Sequence, residues 1–248
     1  FGLENLALIP GRVGASPIQN IGAYGVEVAT YIDSVQFIDL NPSIDHLESV
    51  QNYNNEKCLF AYRNSIFKEK NNHRLIVSVT FRLAKSFSAQ LSYPALSQAI
   101  DKLQLSCPQA DDIFSSVVNL RNSKLPDPYE IPNAGSFFKN IEVDSSTLHR
   151  LLLKNSSMPY FTLEDADNKP LFKIPSAWLI EYCGYKGRRE GCLAMHSKQA
   201  LVLTNLAKNK DDEKIASADV LNFAAMIIQS VYQEFGLLLE VEPQQINE

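Results

Sequence analysis

The chain has 248 residues, and its 28 acidic against 23 basic side chains leave a formal net charge of -5. That length can bury a substantial core in one large domain or two modest ones, while the negative balance supplies no field for a polyphosphate chain and argues against a nucleic-acid partner. With 45% hydrophobic and 21% charged residues, the composition is that of a folded globular protein, neither disordered nor collagenous.

Taken in chain order, the apolar run Leu6-Ala7-Leu8-Ile9 ends at Pro10-Gly11, and small residues continue through Gly14, Ala15, Ser16, Gly22, Ala23 and Gly25. Glycine allows positive φ and close approach, which suits either tight packing or a backbone cradle for a planar ring or a phosphate. Tyr31 to Leu40 is strand-like and ends at the turn residues Asn41-Pro42; Leu75 to Leu83, LIVSVTFRL, is a second strand. A helix is predicted from about Asp111 to Arg121, broken by Lys124-Leu125-Pro126-Asp127-Pro128, where a domain boundary is expected. Beyond it, Ser145 is placed to cap a helix through Leu153, and Ile174 to Cys183 forms a further helix around Trp178. Strands near Cys192 to Met195 and Ala200 to Thr204 precede a long helix, Ala218 to Phe235, whose apolar stripe faces a core and which Gly236 stops. A last strand, Leu237 to Glu242, puts Glu240 and Glu242 on one face. The mixture is an α+β fold.

The four cysteines form no Cys-x-x-Cys pair, so neither a disulfide framework nor a zinc ribbon is signalled; the scattered histidines add no metal set. Free thiols fit a reducing compartment, and the cytoplasm is the expected location. No apolar run approaches the roughly 18 to 20 residues that span a bilayer, and the start, Phe1-Gly2-Leu3-Glu4, has no signal-peptide pattern, so no membrane partner is expected.

Three places are polar beyond what packing asks. In Asn133-Ala134-Gly135-Ser136-Phe137-Phe138-Lys139-Asn140 a flexible glycine precedes a hydroxyl, and two aromatics precede a cation and an amide. A turn entering an edge strand reads the same way, and no Gly-x-Ser-x-Gly accompanies Ser136, which disfavours a hydrolase. Tyr62-Arg63 sets an arginine beside an aromatic, which a surface ion pair also explains. Glu242, near the C-terminus, is otherwise a solvated chain end.

Together these stretches resemble one family. Gly2 through Gly11, Pro17-Ile18-Gln19-Asn20-Ile21-Gly22-Ala23-Tyr24-Gly25, Tyr62 through Lys68, Lys124-Leu125-Pro126 and Asn133 through Asn140 closely resemble UDP-N-acetylenolpyruvoylglucosamine reductase, a flavoenzyme of bacterial peptidoglycan synthesis. The likeness runs on through Trp178-Leu179-Ile180, Lys186-Gly187 and Gln199 to Leu203, as far as Glu242. It implies an oxidoreductase that uses FAD, with NADPH as reductant, to reduce the enolpyruvyl group of a UDP-sugar, as a cytoplasmic monomer. On the matching positions, it implies Ser136 as proton donor and Arg63 and Glu242 as the other catalytic residues. Tyr93 matches a substrate-contacting tyrosine of the subtype with an extra loop; Lys124, Asn140 and Gln199 match positions that bind the nucleotide-sugar, with Tyr160 and Lys186 assisting from loops. Gly11, Ile18 and Tyr24 match backbone lying against the flavin. Negative charge developing on the substrate carboxylate suits the guanidinium of Arg63, and beside such an anion Glu242 is expected to be protonated.

The resemblance divides the chain into a partial FAD-binding domain (1–125), a substrate-binding domain (126–236) and a C-terminal strand returning to the flavin domain (237–248). It also implies a further flavin-binding portion upstream, on the order of 100 residues, so this chain is expected to be a truncated form, inactive alone. The other expectation is a non-catalytic nucleotide-sugar binding module with a relict flavin surface. Arg12 and Pro94 depart from the family pattern, where a smaller residue and a glycine are usual.

Overall fold

The structure, a computed structural model, describes residues 1–40, 50–69, 73–164, 169–207 and 215–244. The chain divides into two compact units, Phe1–Ser123 and Lys124–Glu248, each with its own core.

The first unit opens with short 3-10 turns in place of strands, at Glu4–Leu6 and Val13–Ala15. A two-residue hairpin follows, β1 (Gly22–Ala23) and β2 (Val26–Glu27), with Tyr24 and Gly25 at φ +49° and +82°. Positive φ at both central residues makes this a type I′ turn, whose twist suits a hairpin. Its main sheet has β3 (Ile32–Asp39) at the centre, flanked by β4 (Gln51–Asn54) and β5 (Arg74–Phe81), all antiparallel. The expected strands are thus β3 and β5; the Asn41-Pro42 turn lies outside the described residues. Val28, Ile32, Val35, Phe37, Cys58 and Phe67 form the core beside this sheet. Helices α1 (Pro94–Asp101) and α2 (Ala110–Lys124) build a second small core from Leu96, Ile100, Ile113 and Val117. Pro94 takes the first position of α1, where a missing N–H costs nothing and fixed φ favours the helix. The helix therefore opens directly after Tyr93.

The second unit holds β6 (Asn133–Ser136) and β7 (Ile141–Val143), then α3 (Ser145–Lys154), β8 (Phe161–Glu164), β9 (Pro170–Ile174) and α4 (Ser176–Tyr182). After these come β10 (Arg189–Glu190), β11 (Leu193–Met195), β12 (Val202–Asn205) and α5 (Ser217–Phe235). One sheet runs β10-β11-β12-β6 and another β7-β9-β8. A single core that includes Phe138, Leu151, Ile174, Leu179, Met195 and Ile227 joins them to α5. Gly236, at φ +67°, ends α5 in the left-handed conformation that glycine adopts without a Cβ penalty.

Three local expectations need correction. Ile174 belongs to β9 and not to a helix, because Pro175 blocks helix continuation from that side and α4 starts at Ser176. Residues 237–242 form no regular strand: Leu237 and Leu239 are buried in the unit's core, and pairing is limited to a bridge between Phe138 and Val241. Beside that bridge, Lys139 N–H donates to Glu240 O (2.9 Å) and Glu242 N–H to Phe137 O (2.9 Å). Asp144, not Ser145, caps α3, its carboxylate accepting from Thr147 N–H at 2.7 Å. The four cysteines are free, and burial pushes the Cys58 thiol up to about 11. No helix among the described residues is long and apolar enough to cross a membrane.

The bonds from Thr147 hold the Asp144 carboxyl below the usual carboxylate range, chiefly through the Thr147 N–H. A depressed folded-state value means that stability gained above the unfolded pKa is lost as pH falls through the folded one. Asp144→Ala should therefore lower Tm at neutral pH while Ser145→Ala does not, and the Asp144→Ala deficit should close below about pH 4. Thermal unfolding of both variants across pH checks this.

Candidate active site

In the second unit the site is built on β6 and its neighbours. Gly135, at φ +73°, turns the strand before the exposed Ser136, and Ser136 is registered against Val202 of β12. Phe137 N–H donates to Leu201 O (2.7 Å), while its carbonyl accepts the Glu242 N–H. The backbone therefore carries Ser136 between Gln199-Leu201 on one side and Glu242 on the other. Glu242 is half-buried. Lys139, its side chain 15% exposed, pairs with Glu240 across the same ladder. Asn140 faces inward, its Oδ1 accepting from Ser176 N–H at 3.1 Å, and Ser176 Oγ donates to Lys139 O. These bonds fix the segment after Ser136 against the start of α4.

Three of the remaining predicted residues of this unit, Gln199, Lys186 and Tyr160, lie on loops. Gln199 sits in the turn before β12, its Oε1 accepting from Leu201 N–H (3.4 Å). Lys186 pairs with Glu181 at 2.8 Å, and the neighbouring Gly187 N–H donates to Met195 O (3.0 Å), so this loop lies alongside the one leading to Gln199. A Cβ on Gly187 would meet Ser197 at 3.8 Å. Tyr160 precedes β8, half-exposed and edge-on to Phe172 with ring centroids 5.8 Å apart. Lys124 is the exposed last residue of α2.

The first unit holds Arg63 on a tight turn. Ala61 N–H and Asn64 O are 3.0 Å apart, Asn64 N–H and Ala61 O 3.1 Å, and Arg63 itself sits at φ +52°. Its guanidinium donates to Gly22 O (Nη2, 2.8 Å) and stacks over Tyr62 at 5.1 Å. A main-chain carbonyl is thus among its partners. Tyr93 packs edge-on against Tyr24 with centroids 5.2 Å apart. Burial raises the pKa of both phenols above the usual tyrosine range; Arg121 works against the rise at Tyr24.

The two readings of the glycine-rich opening divide by position. A Cβ on Gly25 would meet Ser92 Oγ at 2.4 Å, and one on Gly22 would meet Arg63 Nη1 and Val26 O at 3.0 Å, so neighbours crowd both positions. Gly11, at φ +120°, has nothing within 4 Å of that position. There the backbone lies open, as close approach by a flat group requires. Ile18 packs beside the sheet core, and its carbonyl accepts from Ser65 Oγ (2.7 Å). Asn5 is a supporting residue that the motifs give little sign of: 2% exposed, its Nδ2 donates to Tyr24 O (2.9 Å) and Gln90 O (3.0 Å), fastening the hairpin turn to the stretch before Tyr93. An asparagine in an apolar run was the available signal.

Residues 127–246 match the family described as UDP-N-acetylenolpyruvoylglucosamine reductase, C-terminal domain. Proteins named UDP-N-acetylenolpyruvoylglucosamine reductase from Pseudoalteromonas atlantica and Polynucleobacter asymbioticus are 44% and 42% identical over 100% and 98% of this chain. Along its whole length the chain is similar to UDP-N-acetylenolpyruvoylglucosamine reductases, and its second unit matches that family's C-terminal domain. It spans 66% and 65% of the length of those two relatives. The crystal structure of the reductase from Thermus caldophilus shares the fold, with a TM-score of 0.56 at 19% identity, covering 98% of this chain and 64% of that one. Among the described residues, no group of three or more His, Cys, Asp or Glu side chains could hold a metal ion.

Because Gly22 lies under the Arg63 guanidinium, Gly22→Ala should push that side chain or the Val26 carbonyl aside and cost about 1–2 kcal/mol of stability. A guanidinium chloride titration measures it; an unchanged midpoint would mean that both neighbours yield freely.

Proposed function

We propose that this chain is the larger part of an enzyme that reduces the enolpyruvyl group of UDP-N-acetylglucosamine enolpyruvate to UDP-N-acetylmuramate, in peptidoglycan precursor synthesis. The observation that carries this reading is the single backbone ladder that places Ser136 between Gln199-Leu201 and Glu242, in a chain 44% identical to a protein with that reductase name. The substrate is a UDP-sugar bound by Lys124, Asn140 and Gln199, with Tyr93, Tyr160 and Lys186 closing on it. We place the enzyme in the cytoplasm as a monomer.

Gly11, where the backbone is open, would hold FAD together with Ile18 and Tyr24, and the bound flavin would supply hydride from NADPH to the terminal carbon of the enol ether. As that bond forms, the vinyl electron pair moves toward the carboxylate, and charge develops there. Arg63 meets this charge with a planar pair of donors that stays protonated at any working pH. Ser136 gives its proton to the carbon next to the carboxylate; a hydroxyl is a weak acid, and an enolate-like base is strong enough to take the proton. Solvent then restores the hydroxyl. An ionised Glu242 beside the developing anion would repel it, so Glu242 acts protonated, as a hydrogen-bond donor.

The test uses the whole flavin-loaded enzyme and follows the two half-reactions separately. Ser136→Ala should leave reduction of the flavin by NADPH intact and slow its reoxidation by the enolpyruvyl substrate by about 10²–10⁴-fold, the usual worth of a positioned proton donor. Glu242→Gln should retain most activity. Wild-type reoxidation in Ser136→Ala would overturn the assignment, as would UDP-sugar binding with no substrate-dependent oxidation of NADPH, the outcome expected of a binding module alone.

A further inference from the structure

We propose that Asn20 is a positioning residue that sets the orientation of Arg63, acting on the reaction through that guanidinium. The inference rests on the role proposed for Arg63 and deepens it.

Asn20 is 1% exposed. Both N–H groups of its amide are committed: Nδ2 donates to Glu27 Oε2 (2.8 Å) and to Ala61 O (3.1 Å), while Oδ1 accepts from Ala29 N–H (3.0 Å). A buried carboxamide satisfied this fully is rigid, and withdrawing it leaves several buried groups unpaired at once. Its backbone sits at φ +47°, which asparagine tolerates better than most residues.

The significance lies in which carbonyl it holds. Ala61 O also accepts from Asn64 N–H and closes the turn that displays Arg63. That turn has no glycine to accept positive φ, so the strain at Arg63 has to be opposed from outside. Segment 18–22 supplies the opposition at four points: Asn20 to Ala61 O, Ser65 Oγ to Ile18 O, Arg63 Nη2 to Gly22 O, and Lys68, whose Nζ donates both to Gln19 Oε1 and to Arg63 O, each at 3.2 Å. Of the side chains making these ties, Gln19 and Asn20 lie on the holding segment, and Asn20 joins it to the hairpin strand through Glu27 as well. The guanidinium that must meet a carboxylate in a fixed plane is thereby referenced to β2 and not to a free loop.

A double-mutant cycle on kcat tests this in the whole flavin-loaded enzyme, with rates expressed per bound flavin so that unfolded protein does not count. Asn20→Ala should lower kcat tenfold to about a hundredfold, the effect of a displacement near 1 Å, with KM changing less. In an Arg63→Ala background the same substitution should change kcat by less than about twofold, because the group it positions is gone. Lys68→Met removes an outer tie without opening the buried site and should follow the same pattern with a smaller loss; it carries the test should Asn20→Ala fail to fold. An equal loss in both backgrounds, for either variant, would mark a merely structural role and overturn this proposal alone. Full kcat in Arg63→Ala would overturn the proposed role of Arg63 and this inference with it.

Discussion

Residues 1–31 have almost no ladder, and their backbone groups must nonetheless be paired, because an unmet buried N–H or C=O costs as much as a lost hydrogen bond. Carboxamide side chains meet that need. Asn5 bonds two carbonyls far apart in sequence, Asn20 bonds one carbonyl and one N–H, and Asn55 donates to Ala29 O and Ile32 O at 2.8 Å each. The first unit is thus an ordinary three-stranded sheet with an irregular layer sewn to it by asparagine. Irregular backbone is where positive φ values gather, at Leu8, Asn20, Tyr24, Leu59 and Arg63. Proposed functional positions, Tyr24 and Arg63, are among them, consistent with local strain being held at sites of function by surroundings that over-determine it.

The second unit is built differently. One apolar core runs under both sheets, and the site residues are read off backbone register: Ser136 opposite Val202, Phe137 opposite Glu242. Here the side chains inherit their places from ladder pairing, and the sequence distance between Ser136 and Glu242 is bridged by burying Leu237 and Leu239. The two units reach the same end, a fixed polar side chain, one through capped turns and the other through paired strands.

Legibility in the sequence followed this difference. β3, β5 and α5 were visible because long apolar periodicities leave little choice, and Gly236 announced the end of α5. The short strands β4, β8 and β9 were not, although β11 and β12, equally short, were legible as wholly or largely apolar runs. Asp144 and Ser145 are adjacent residues of equal capping competence, and only the geometry at Thr147 chooses between them. For the candidate site, the motifs around Ser136, Arg63 and Glu242 could be picked out as over-polar, and the family likeness gave them roles. What held them was hidden: hydrogen-bond partners such as Asn5 to Tyr24 span long separations, and no local pattern encodes a contact made across the fold.

The turn at Tyr24 carries a further implication. Type I′ hairpins strongly favour asparagine, aspartate or glycine at that first central position, and a phenol-bearing residue there costs on the order of 1–3 kcal/mol. Selection for heat tolerance alone would therefore be expected to drift position 24 toward asparagine or glycine, relaxing the hairpin and erasing the aromatic face that now leans on Tyr93. The tyrosine that stands there packs against the core of Leu96, Ile100, Ile113 and Val117, so an easier turn would be gained at the expense of that packing.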